Sequence, residues 1–256
     1  MNILFLGDVT GRTGRAAVVR RLAGLKKQYA VDFTVINGEN AAHGKGITSS
    51  IYHELMDAGA DVITLGNHMF SKHEITEHMD ECPWLLRPGN QFPLTPGKAA
   101  LVRECLGHRI GVINLSGSIF MDSISESPFM TMERILKEMD ADVILVDLHA
   151  EATSEKELFF HLFRDRLSAV IGTHTHVQTA DEMVLDGCAY ISDVGMCGPY
   201  LSIIGRDIKE VTARMVKGER TRYKPSEAPA VICGVLITVG TDGRAVSIQR
   251  IQERPI

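Results

Sequence analysis

The rhythm of the first third of the chain constrains its fold most: short β-branched runs alternate with segments whose apolar residues recur at helical spacing. Residues 2–6 read as an apolar strand, 11–14 as a glycine turn, and 15–28 as a helix with Val18, Val19, Leu22 and Leu25 along one side. Residues 33–36 and 62–65 read as further strands and 49–58 as a second helix. A short helix over 74–80 ends before Cys82-Pro83, because the residue preceding a proline disfavours helical backbone. This βαβαβα order predicts an α/β domain whose strands end at a common edge, where such folds gather their site residues.

The middle of the chain is less regular. Residues 83–96 form a Pro/Gly-rich loop, 99–105 and 109–115 read as paired strands across Leu106-Gly107-His108, and 116–127 read as a loop able to cover a site. Alternation resumes with a helix over 130–139, a strand over 143–146, a helix over 155–163 and a strand over 169–171. The tail is richer in β-type runs, at 183–185, 189–192, 231–239 and 246–251, the last two joined by the hairpin turn Thr241-Asp242-Gly243. A helix over 208–216 and a basic loop over 217–224, read as solvated, lie between them. No linker divides the sequence, so residues 1–256 are expected to form one domain with two β-rich layers, with loops in 83–130 available as a small cap.

Composition limits the function classes. With 256 residues, 45% hydrophobic and 23% charged, the chain can bury one sizeable core. No stretch approaches the ~20 apolar residues of a membrane span, and the opening apolar run stops at Gly7-Asp8, too soon for a signal-peptide core. The expected address is the cytoplasm, with no membrane partner. Five cysteines without a CxxC pair fit buried reduced thiols. A net charge of −5 offers no field for long nucleic acid, so attraction to an anionic substrate must be local. Homo-oligomerisation is left open.

Five polar clusters follow the apolar runs: Asp8, Glu39 with Asn40, Asn67 with His68, His149, and His174 with His176. All are oxygen or nitrogen donors suited to hard or borderline cations. Asp8 after Gly7 is weak alone, since Gly-Asp is a common turn or cap. Glu39 offers two free oxygens, as a bridging carboxylate must. Asn67 offers an amide oxygen, and His68 can carry a proton near neutral pH. Asp147 and His149 share a strand face only if that strand persists. Gly172-Thr173-His174-Thr175-His176 is the most specific segment, because two imidazoles at i and i+2 after a strand can each turn to one of two adjacent metals. The other histidines, His43, His53, His73, His78, His108 and His161, lack such context and read as mostly exposed.

These blocks, Gly7-Asp8, Gly38-Glu39-Asn40, Gly66-Asn67-His68, His149 and Thr173-His174-Thr175-His176, resemble those of the calcineurin-like metallophosphoesterase superfamily. Their particular form is similar to its bacterial YmdB branch. Thr10 stands where the superfamily usually has a histidine, and Glu39 where it usually has an aspartate; Asn40 beside Glu39 makes up the coordination, as in that branch. The resemblance implies a four-layer α/β/β/α sandwich of two mixed sheets flanked by helices. It further implies two metals, one held by Asp8, Glu39, Asn40 and His176 and the other by Glu39, Asn67, His149 and His174. A hydroxide bridging metals ~3.5–4 Å apart would attack phosphorus in line, with His68 as proton donor. Iron is the metal implied, manganese and zinc being compatible with the donors. The implied substrates are small phosphodiesters, cyclic nucleotides of the 2′,3′ or 3′,5′ form.

The residues leave the base pocket unspecified; Arg87-Pro88-Gly89-Asn90 and the 116–127 loop are candidates for the mouth. Two alternatives share the same ligands: a phosphomonoesterase such as a 5′-nucleotidase, and a non-catalytic nucleotide-binding regulator. A mononucleotide-binding reading fails on glycine spacing, since Gly7, Gly11 and Gly14 do not make GxGxxG and Gly38 to Gly46 misses the P-loop interval.

Overall fold

A computed structural model describes residues 1–255. The first half of the chain runs β1 (Asn2–Leu6), β2 (Asp8–Val9), α1 (Gly11–Gln28), β3 (Phe33–Asn37), α2 (Ser49–Asp57), β4 (Val62–Thr64), α3 (Glu74–His78) and β5 (Leu85–Leu86), then the hairpin β6 (Ala100–Cys105) and β7 (His108–Ser116). The second half runs α4 (Pro128–Glu138), β8 (Val143–His149), α5 (Thr153–Phe163), β9 (Ala169–Thr173), β10 (Met183–Leu185), β11 (Cys188–Ile191), β12 (Met196–Pro199), α6 (Ile208–Met215), β13 (Ala230–Val239) and β14 (Ala245–Glu253).

The strands form two mixed sheets. One has the order β2-β12-β13-β1-β3-β4-β5 with β14 on β13, and the other β10-β11-β9-β8-β7-β6. β1, β3, β4 and β5 are mutually parallel, as are β7, β8, β9 and β11, so both sheets send strand ends toward one edge. Between the sheets lies an apolar layer that includes Ile3, Phe5, Phe33 and Val35 from the first and Val112, Leu145, Ile171 and Ile191 from the second. Leu22 and Leu25 of α1 and Leu55 of α2 cover the outer face of the first sheet, while Met132 of α4 and Phe159 and Phe160 of α5 cover that of the second. The result is the expected α/β/β/α sandwich. Each fully buried Leu or Phe side chain is worth about 1.5–3 kcal/mol relative to exposure, which is why strands this apolar are sandwiched on both faces.

Several local expectations need correction. The glycines read as a turn over 11–14 belong to the first turn of α1; a side chain at Gly14 would come within 2.1 Å of the Cys197 carbonyl oxygen, so glycine there serves close helix–strand approach. Val19 is 39% exposed and leaves the buried face to Ala17, Val18, Leu22 and Leu25. Three short strands, β2, β5 and β12, lie where no run was long enough to signal one. β8 continues to His149, which puts Asp147 and His149 on the same strand face. The cysteines are free, four of them buried. Among the described residues, no helix is long and apolar enough to cross a membrane.

Candidate active site

The five polar clusters converge where the parallel strands of the two sheets end. Asp8, from β2, is fully buried; its Oδ2 accepts the His174 N–H at 3.3 Å. Glu39 and Asn40 follow β3, Asn67 and His68 follow β4, His149 ends β8, and His174 and His176 follow β9. Ligand-capable atoms of Glu39, His149 and His174 lie within 4.8 Å of one another, as do those of Asp8, Glu39 and His176. Glu39 is common to both groups. His174 and His176 have φ of 103° and 66°, unfavourable for side-chain-bearing residues, and this turned backbone directs both imidazoles toward the cluster.

The His149 ring is fixed through hydrogen bonds. The Thr173 hydroxyl donates to Asp147 Oδ1 at 2.7 Å and therefore accepts from His149 Nδ1 at 2.9 Å. Asp147 Oδ2 accepts from Asn37 at 2.9 Å and from the Thr64 hydroxyl. His149 Nε2 is left facing Asn67 Oδ1 at 3.0 Å, His174 Nδ1 at 3.0 Å and Glu39 Oε2 at 3.2 Å. Four acceptor atoms gathered this closely require a proton or a cation among them. At the other end, Asn40 Nδ2 meets Glu39 Oε1 at 2.8 Å and His176 Nε2 at 3.0 Å. Turning that amide about its Cβ–Cγ bond presents Oδ1 at the same place, as a metal ligand needs.

Ionisation in the cluster tells the same story. Burial pushes the Asp8 carboxyl up to about 7, with Glu39 and Asp193 adding to it against the pull of His176 and His149. Burial would also raise Glu39, but His149, by charge and hydrogen bond, and then His68 outweigh it and hold Glu39 well below the usual carboxylate range. Burial lowers His149, yet the carboxylates of Glu39, Asp8 and Asp147 carry it to about 9. His174 falls to about 3 through burial and the neighbouring His149. Asp8 Oδ1 is buried without a hydrogen-bond partner. An orphaned carboxylate oxygen within a cluster of carboxylates and imidazoles fits a cation, and the donor set contains no thiolate.

Sequence reasoning missed several supporting residues. Lys156 is completely buried, donates to the Thr173 carbonyl at 2.8 Å and pairs with Asp193 Oδ2 at 3.2 Å, while that oxygen also accepts the Thr175 N–H at 2.9 Å. This lysine stands between Glu155 and Glu157, where a charged residue reads as solvent-facing, and carries no local motif. Glu151 Oε2 lies 3.1 Å from His174 Nε2, on the side of the ring away from His149. Gly66, already named in its sequence block, proves to be required sterically, since a Cβ there would lie 2.3 Å from both Glu39 Oε2 and His149 Nε2.

A cavity of 430 Å³ opens over the cluster, lined by Glu39, Asn40, His68, Glu151 and His174–His176 together with Lys45, Arg206, Arg214 and Tyr223. The mouth is not built from the segments expected to line it. Arg87 is buried, donating to the Pro88 and Gln91 carbonyls, and Asn90 is buried against Ser116; residues 116–127 do not line the cavity. The 217–224 loop, expected to be simply solvated, instead brings Tyr223 to the cavity and packs the Thr221 hydroxyl on Glu210.

Two mixed sheets, flanking helices and a carboxylate shared by two donor groups define a metallophosphoesterase, a metal-dependent hydrolase of phosphoric ester bonds. Residues 4–251 match the family described as YmdB-like protein, and the chain belongs to that family of phosphodiesterases. It is 44% identical to the 2′,3′-cyclic-nucleotide 2′-phosphodiesterase of Bacillus subtilis (strain 168), over 98% of this chain and 96% of that one. Among solved structures it is similar to a hypothetical protein from Thermus thermophilus, with a TM-score of 0.93, 39% identity and 99% of each chain covered. A novel phosphatase of Mycoplasma pneumoniae also aligns, with a TM-score of 0.93, 34% identity, and 99% and 93% of the two chains covered.

Proposed function

We propose that the protein hydrolyses small phosphodiesters of the cyclic-nucleotide class at a centre for two cations, with His68 passing a proton to the departing oxygen. The strongest support is the position of Glu39, whose carboxylate belongs to both donor groups, Glu39–His149–His174 and Asp8–Glu39–His176. One cation would be held by Asp8, Glu39, Asn40 and His176, the other by Glu39, Asn67, His149 and His174. Bound cations would supply positive charge to the phosphoryl oxygens and make water at the site more acidic. The donors suit iron, manganese or zinc, with iron favoured by the family resemblance.

The remaining work falls to the chain itself. Thr173 and Asp147 hold His149 in one tautomer, and Glu151 orients His174 from outside. His68 lines the cavity and its backbone N–H donates to Glu39 Oε2 at 3.2 Å, so the residue sits beside the shared carboxylate. Burial lowers the pKa of His68, making its proton easier to give to a leaving alkoxide at an imidazole nitrogen. The cavity suits one small ligand better than a polymer. The activity named for the Bacillus subtilis relative favours 2′,3′-cyclic nucleotides, with 3′,5′-cyclic forms second. The thiols, none in a disulfide, suit a reducing cytoplasm.

Metal analysis of the purified protein, combined with turnover of 2′,3′-cyclic AMP, 3′,5′-cyclic AMP, bis-p-nitrophenyl phosphate and p-nitrophenyl phosphate, tests this reading. Two metals per chain and faster hydrolysis of diesters than of the monoester are expected. Faster monoester hydrolysis would make the protein a phosphomonoesterase, and nucleotide affinity without turnover would make it a binding regulator.

A further inference from the structure

Besides the metal-ligand cluster the cavity is lined by basic side chains, although the chain as a whole carries a net charge of −5. Residues 206–224 contain seven Lys and Arg against three Asp and Glu, so positive charge concentrates beside the site. Of the three cations lining the cavity, Arg206 is neutralised, making a two-pronged pair with Glu210 at 2.7 and 2.8 Å. Lys45 and Arg214 make no ion pair among the described residues. Lys45 is carried on a turn in which His43, Gly44 and Gly46 all have positive φ, and its ammonium lies 5.4 Å from the centroid of the Tyr223 ring. Tyr223 ties the Lys45 turn to Arg206, donating from Oη to the Gly44 carbonyl at 3.3 Å and taking the Arg206 guanidinium at 5.0 Å from its ring centroid. A Cβ at Gly44 would lie 2.6 Å from Tyr223 Oη, so the turn and the ring are closely fitted.

A single scissile phosphodiester carries one negative charge, and the cation centre would take it. Two further unpaired cations facing the same cavity call for a second anion. Resting on the proposed function, we infer that Lys45 and Arg214 form a subsite for a second phosphoryl group, and that the preferred substrates are cyclic phosphodiesters bearing a terminal phosphate, such as a 2′,3′-cyclic nucleotide with a 5′-phosphate. Tyr223 and the Arg206–Glu210 pair hold the wall that carries this subsite in place.

The test compares the binding of two nucleotides lacking a diester bond, adenosine 3′-monophosphate and adenosine 3′,5′-bisphosphate, to the metal-loaded enzyme by titration calorimetry. Charge-assisted hydrogen bonds to the extra phosphate should tighten binding of the bisphosphate by about ten- to a hundredfold. That ratio should fall toward one in Lys45→Met/Arg214→Met, both positions being exposed, and partway in Lys45→Met alone, with melting temperatures kept. Equal affinity of the two nucleotides for the wild type, or an undiminished ratio in the folded double variant, would overturn the subsite. If the bisphosphate binds better through these residues but no cyclic nucleotide is hydrolysed, the subsite stands and the substrate reading falls. Failure of both nucleotides to bind would overturn both.

Discussion

Replacing Lys156 by Met would remove the buried cation that anchors the histidine loop while keeping most of its apolar volume. Lys156 is completely buried and its ammonium serves the Thr173 carbonyl and Asp193 Oδ2 together. Asp193, itself 1% exposed, would keep the Thr175 and Gly195 N–H groups at 2.9 Å each but lose its counter-charge. Breaking one partner of a buried pair costs about 3–5 kcal/mol, because the remaining charge stays desolvated. At roughly 2–4 °C per kcal/mol for a chain of this size, the melting temperature should fall by about 6–20 °C. Lys156→Met/Asp193→Asn removes both charges, so it should recover a large part of that loss. Thermal melts and urea titrations measure both effects, and metal content should fall in Lys156→Met because Thr173 and Thr175 flank His174. A single variant within about 1 kcal/mol of wild type, or a double variant no better than the single, would refute this account of the anchor.

Glu39→Gln should lose most diesterase activity and bound metal while keeping the fold, since it deletes charge from both donor groups; wild-type turnover at full metal occupancy would remove Glu39 as the bridge. His68→Ala should keep its metals but slow cyclic-nucleotide hydrolysis by roughly 10²–10⁴, the usual worth of general acid catalysis. Its defect should shrink with bis-p-nitrophenyl phosphate, whose leaving group needs little protonation, so equal losses on both substrates would argue against the acid role. Gly66→Ala should abolish metal binding with little loss of folded signal, because its methyl group would occupy space 2.3 Å from Glu39 Oε2 and His149 Nε2; normal metal uptake by elemental analysis would contradict this. The Asp181 carboxyl, although burial alone would raise it, is held below its usual value by the Ser192 and Thr179 hydroxyls and the Ser192 N–H. It therefore stabilises the fold above the unfolded pKa of ~3.9 and loses that contribution as pH falls through its lower folded value. Asp181→Asn should be less stable than wild type at pH 7 and converge with it in strong acid, and a pH-independent difference in urea midpoint would count against the assignment.

The two-sheet architecture was legible because strands buried on both faces need continuous apolar runs, and residues 33–36, 143–146 and 231–239 supply them. The site clusters were legible because each stands where such a run stops. β2, β5 and β12 were not, since two to four residues give no period to read. Lys156 was hidden for a different reason: its partner Asp193 lies 37 positions away, and only the fold makes that pair. The cavity wall escaped likewise, since Tyr223 meets Gly44 across 179 positions and nothing in a basic loop announces an aromatic contact.

The Asn37 amide and the Thr64 hydroxyl come from one sheet, and the Asp147 carboxylate they share comes from the other. The donor atoms are split in the same way, with Asp8 and Glu39 on the first sheet's side and His149 and His174 on the second's. A cation held by both halves, as proposed above, would therefore be a rivet between layers. Its binding free energy would add to whatever resists their separation, so breathing of the sandwich and release of metal would become one coupled event. Amide exchange at the strand ends should slow as metal is titrated in, and chelation should loosen the whole edge at once.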